Sequence, residues 1–92
     1  MKMDREICRA LYQAEQALSP QLLHEMRNGT YSSLTRYHFT LGLWMRNHLL
    51  RADGSLYRML CRCGISHPDD MSALLLSLLY LHLKGLLTED AG

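Results

Sequence analysis

Apolar residues recur along this chain at helical spacing, and strand-like alternation is almost absent. Ile7, Leu11, Ala14 and Leu18 mark one face of a first helix, with Asp4 placed to cap it. Ser19-Pro20 then restarts the chain, serine as N-cap and proline at the first helical position, where its missing N–H costs nothing. Leu18 and Leu23 flank that cap at staple positions, and Gly29 closes this second helix. Thr30 to Ser33 reads as a polar link.

A third helix is predicted from about Ser33 to Leu50, carrying Leu34, Tyr37, Leu41, Trp44, Met45 and Leu49. Gly42 inside it costs about 1 kcal/mol relative to alanine, which implies that another helix packs close there. Arg51-Ala52-Asp53-Gly54 is a turn. Ser55 opens a fourth helix that runs to Cys63 and ends at Gly64, with Leu60 and Ile65 spaced for the contact of a glycine C-cap. His67-Pro68-Asp69-Asp70 opens the fifth, its two carboxylates in the first turn where the helix dipole favours them. Gly85 ends it, with Leu81 and Leu86 repeating the cap pattern. Leucines cover most of its circumference, so it lies at the centre or lends a face to a partner. The fold class is therefore all-α: a compact bundle of about five helices with short links, over residues 1–92 as a single domain. Its core is built around helices 68–84 and 33–50, the latter through the apolar run from Phe39 to Leu50.

Composition adds bounds. Ninety-two residues, 48% hydrophobic and 21% charged, suffice for one core. Ten basic against nine acidic residues leave a net charge of +1, so no global field commits the chain to nucleic acid or an anionic membrane. Arginines dominate from His24 to His67, whereas Asp69, Asp70, Glu89 and Asp90 face only Lys84 from Pro68 onward. That asymmetry suits internal pairing or a polar partner. The charged start, Met1-Lys2-Met3-Asp4-Arg5-Glu6, does not read as a secretory signal, and three scattered cysteines suit a reducing cytoplasm. The leucine run from Met71 to Leu87 is interrupted by Ser72, Ser77, His82 and Lys84, so no membrane span is expected.

Leu41-Gly42-Leu43-Trp44-Met45-Arg46-Asn47 and Gly64-Ile65-Ser66-His67-Pro68-Asp69-Asp70-Met71-Ser72 together resemble a family of small bacterial proteins of unknown function. That family is marked by an L-G-x-W-I-R-N segment followed by a G-I-x-H-P-D-D-M-S segment. The resemblance covers roughly the second half of the chain and implies a bacterial or phage origin without implying an activity. His48 to Gly54 departs from the aromatic-rich stretch that follows Arg-Asn in the family.

Chemistry-bearing constellations are thin. Cys61, Cys63 and His67 form an incomplete zinc set, with one residue between the cysteines where structural sites use two or more. Cys63 sits near a helix C-terminus, the wrong end of the dipole for a thiolate. Asp69 and Asp70 are better read as helix-start charges than as a paired acid. No metal, cofactor or catalytic residue is expected, and the chain is read as no enzyme. A helix-turn-helix made of helices 55–63 and 68–84 would place leucines where base-reading side chains belong, so nucleic acid is disfavoured. It stands as the alternative, through the arginine-rich middle. A protein-interaction role remains, as adaptor, immunity-type protein or anti-defence inhibitor, with Tyr57, Arg51, Arg58 and Arg62 as partner-facing residues and a second copy among the partners. Arg46 interrupts an apolar run and is expected to pair with Asp70, or with Asp69, while Asn47 bonds backbone in the adjoining turn. A buried pair of that kind would make Arg46→Ala cost about 3–5 kcal/mol.

Overall fold

The computed structural model describes residues 5–51 and 54–86. Asp4, Ala52 and Asp53 of the expected turn, and the acidic Glu89 and Asp90 lie outside the described residues. Within them the chain forms five α-helices, one 3-10 helix and no strand: α1 (Arg5–Ala17), α2 (Pro20–Asn28), the 3-10 helix (Tyr31–Tyr37), α3 (Leu41–His48), α4 (Ser55–Arg62) and α5 (Pro68–Leu83). The fold is all-α, as its periodicity predicts.

Local chemistry sets most of the boundaries. The Ser19 hydroxyl accepts the Leu22 N–H at 3.2 Å and Pro20 begins α2. The His67 ring begins α5 in the same way, Nδ1 accepting the Asp69 N–H at 3.1 Å, with Pro68 next. Of the three glycines expected to end helices, Gly64 and Gly85 form left-handed caps. Gly64 has φ +94°, its N–H bonds Cys61 O at 3.0 Å, and the Ile65 N–H returns to Leu60 O at 2.9 Å. Gly85 has φ +75°, with matching bonds to His82 O and from Leu86 to Leu81 O. These are Schellman motifs, which satisfy the last carbonyls of α4 and α5. Gly29 ends α2 differently, in extended conformation rather than left-handed.

The predicted third helix from Ser33 to Leu50 is the main correction. Residues 31–37 are 3-10, residues 38–40 are a turn, and only Leu41–His48 is α-helical. Hydroxyls explain the break. Ser33 Oγ donates to Thr30 O at 2.6 Å and Thr35 Oγ1 to Ser32 O at 3.3 Å, local bonds that compete with an α-helical ladder. Thr30–Ser33 is accordingly the start of a short helix rather than a link.

α5 is the axis of the molecule. It packs on α1, α2, the 3-10 helix and, most extensively, α3, while α4 leans on α1. From Met71 to Leu83 no residue of α5 is exposed. Met71, Leu75, Leu76 and Leu79 are buried with Leu11, Met26, Met45 and Leu60 from the other helices. Each leucine buried there contributes about 1.5–3 kcal/mol relative to exposure.

Polar contacts tie the neighbours to α5. Arg27 Nε donates to Leu83 O at 3.1 Å, placing a cation at the negative end of the helix dipole. The Tyr80 hydroxyl donates to Gly29 O at 3.2 Å, the Tyr31 hydroxyl meets Ser77 Oγ at 2.9 Å, and His82 Nε2 lies 2.8 Å from Glu15 Oε1. Among the described residues no helix is long and apolar enough to cross a membrane.

Candidate functional site

Two of the segments singled out in the sequence meet where α3 crosses the start of α5. Gly42 lacks a side chain there, and a Cβ at that position would lie 3.7 Å from Ser72 Oγ and 3.5 Å from Arg46 Nη1. Both are ordinary contact distances, so α5 lies against α3 here but leaves room for a methyl group. Arg46, one turn on from Gly42, donates from Nη1 to Ser72 Oγ at 3.0 Å. The same nitrogen lies 3.4 Å from Asp69 Oδ1, and Ser72 Oγ donates back to Asp69 O at 3.0 Å.

The expected preference for Asp70 is corrected: Arg46 faces Asp69, and Asp70 is exposed with no ion pair among the described residues. Consecutive helical residues diverge by about 100°. Asp69 stands three positions before Ser72 and so shares its face. Burial is also less than expected, with Arg46 at 27% side-chain exposure and Asp69 at 72%. Asn47 is exposed and its side chain makes no hydrogen bond among the described residues, so it does not hold the adjoining turn.

Arg46, Asp69 and Ser72 line a concavity of about 250 Å³ together with His38 and Phe39. Phe39 projects beside it, 86% exposed. Leu43, three residues before Arg46 on α3 and therefore its surface neighbour, is 49% exposed. An aromatic ring, a leucine and a guanidinium thus share one surface.

The residues expected to face a partner are scattered. Arg58 and Arg62 are exposed on α4, but Tyr57 beside them is half-buried and packs against the core. Arg51 lines a different concavity of about 190 Å³, between Glu6, Arg9 and Gln13 of α1, His48, and the start of α4. There Ser55 Oγ donates to Glu6 Oε2 at 2.9 Å, which seats a carboxylate at the N-terminus of α4. Neither Arg58 nor Arg62 lines it.

Phe39 and Leu43 lie within an apolar run, which by itself marks them as core. Their phase was the available signal. Tyr37, Leu41 and Met45 repeat every four residues and are all buried, and Phe39 and Leu43 fall two positions off that stripe.

His67 is engaged at its cap, Cys61 is half-buried, and exposed Cys63 lies with its Sγ 3.9 Å from Met59 Sδ. Among the described residues no three histidine, cysteine or acidic side chains converge in a way that could hold a metal ion. A helix-turn-helix use of α4 and α5 meets a direct obstacle, since α5 has no exposed face from Met71 to Leu83 to lay in a groove.

A family model described as "Domain of unknown function (DUF6794)" matches residues 5–83, from the first residue of α1 to the last of α5. No curated protein and no solved structure matches the chain.

Proposed function

We propose that this chain, which belongs to the DUF6794 domain family, works as a non-enzymatic protein-binding module whose partner docks on the Phe39, Leu43 and Arg46 surface. The observation that carries the reading is Phe39, whose ring stands 86% exposed beside a concavity instead of in the core. An exposed aromatic and an arginine next to a recess are residue types enriched in protein interfaces, and the leucine adds apolar contact beside them. The polar groups nearby are committed to one another, Arg46 to Ser72 and Asp69. That pattern suits a rim around an anchor better than an acid–base pair awaiting substrate. A cytoplasmic adaptor or inhibitor of bacterial or phage origin is the setting that best suits such a module.

The test is affinity capture from an extract of the source organism, comparing the wild type with Phe39→Ser, Leu43→Ser and the pair Arg58→Ala, Arg62→Ala. A protein retained by the wild type and the arginine variant, and lost from the Phe39 and Leu43 variants, supports the reading. Capture indifferent to Phe39 and Leu43 overturns the surface. Tight, salt-sensitive binding of random duplexes that depends on Arg58 and Arg62 would replace it with nucleic-acid binding.

A further inference from the structure

The concavity at the start of α4 gathers positive charge from two elements. Arg9 lines it from α1, and Arg51 lines it from the link after α3. Each stands beside a core residue, Ala10 at 3% and Leu50 at 6% exposure, and the Gly54 N–H holds the Arg51 carbonyl at 2.8 Å. Their backbones are thus anchored while both residues are exposed. Neither guanidinium makes an ion pair or a hydrogen bond among the described residues. Arg9 follows Glu6 by three positions on α1, a spacing at which opposite charges pair, yet the two do not. The Glu6 carboxylate instead accepts the Ser55 hydroxyl at 2.9 Å. Among the described residues of the lining, two guanidiniums therefore face one carboxylate that is already engaged. Like charges converging on one recess repel, and an anion between them relieves the repulsion.

We infer that this concavity binds a phosphoryl group, with Arg9 and Arg51 as the residues that hold it. One guanidinium alone satisfies a carboxylate, in a bidentate pair. Two guanidiniums from separate elements exceed that need and suit the three acceptor oxygens and higher charge of a phosphoryl group. The N-terminus of α4 adds nothing here, because Glu6 already occupies it. The remaining walls are rigid or apolar. His48 has its ring stacked on Trp44 with centroids 5.0 Å apart and its Nδ1 3.0 Å from Trp44 O, while half-buried Leu49 and buried Leu56 supply apolar surface. The volume of about 190 Å³ exceeds the roughly 150 Å³ of a cavity that holds benzene. A small organic group esterified to the phosphate therefore has room. None of these residues lines the recess beside Phe39, so this site and the protein-binding surface stand or fall separately.

A nuclear magnetic resonance titration of the full chain at low ionic strength tests the site, with inorganic phosphate, phenyl phosphate and acetate as separate probes and ionic strength matched by chloride. Both phosphates should shift the amides of Arg9, Ala10, Leu49 and Leu56 saturably, and acetate should bind more weakly. Arg9→Gln and Arg51→Gln, at exposed positions, should keep the helical circular dichroism and each weaken phosphate binding about tenfold. Arg58→Gln, at an exposed arginine of α4 outside the concavity, should bind as wild type. Tighter binding of phenyl phosphate assigns a phosphate monoester as the ligand, equal binding assigns free phosphate, and both support the site. Shifts that do not saturate, or affinity unchanged in either Arg9→Gln or Arg51→Gln, would overturn it. So would an equal loss in Arg58→Gln, which marks general charge attraction, or acetate binding as tightly as phosphate.

Discussion

Arg46 reaches across 26 residues of sequence to Ser72, its Nη1 3.0 Å from a hydroxyl whose residue is only 3% exposed. The bond fastens the last turn of α3 to the second turn of α5 and holds the guanidinium at the edge of the concavity. Asp69 joins it from the solvent side.

That division sets the stability cost of each group. Arg46→Ala removes a charge-assisted bond to a buried hydroxyl and should destabilise the fold by about 1–2 kcal/mol. The larger penalty of a fully buried pair does not apply, because the arginine keeps access to water. Asp69→Asn, altering an exposed partner, should cost less than about 1 kcal/mol. Urea denaturation of both variants checks the order, and an Asp69→Asn loss equal to that of Arg46→Ala would contradict it.

The glycines should respond with opposite signs. Gly64→Ala and Gly85→Ala meet no atom within 4 Å but force a side chain into left-handed backbone, a loss of about 1–2 kcal/mol each. Gly42→Ala adds its methyl at ordinary contact distance from Ser72 and Arg46, within an α-helix. It should raise stability by about 0.4–1 kcal/mol. Thermal melts of the three variants would show two lowered midpoints and one raised.

His67 caps α5 through a ring nitrogen that accepts a backbone N–H. His67→Ala should therefore cost about 1 kcal/mol, whereas His67→Asn, a better cap by side-chain length, should cost nothing or stabilise. Hydrogen exchange at the Asp69 and Asp70 amides offers a local readout: faster in the alanine variant, unchanged or slower in the asparagine variant.

Depth along α5 should grade its leucines. Leu75→Ala, at a position with 0% exposure, should cost about 2–5 kcal/mol. Leu74→Ala, at a half-buried position, should cost clearly less. Denaturation midpoints that coincide for the two would mean that α5 is not packed as described.

The helix ends were legible because their signals are local. Ser19-Pro20, Pro68, and the two glycine caps each act within a few residues, and each was placed from the sequence. The break at residues 38–40 was not, since apolar spacing continues across it while Ser33 and Thr35 divert the backbone ahead of it. At the candidate site, the importance of Arg46 and Gly42 could be read from their place in an apolar run. The choice of Asp69 over Asp70 depends on which face α5 turns toward α3, and that is decided by packing. Arg27 on Leu83 O, Tyr80 on Gly29 O and Tyr31 against Ser77 join positions more than forty residues apart, and no local pattern announces them.

The place of α5 in the chain order has a consequence for how the protein comes into being. Every helix except α4 packs chiefly on a segment that the ribosome makes after all of them. A nascent chain that has emerged only as far as Gly64 lacks the segment on which α1, α2, the 3-10 helix and α3 chiefly pack. Closure of the core therefore waits for α5. Until that moment the apolar stripes are open to chaperones, to proteases, and to other unfinished copies on the same message.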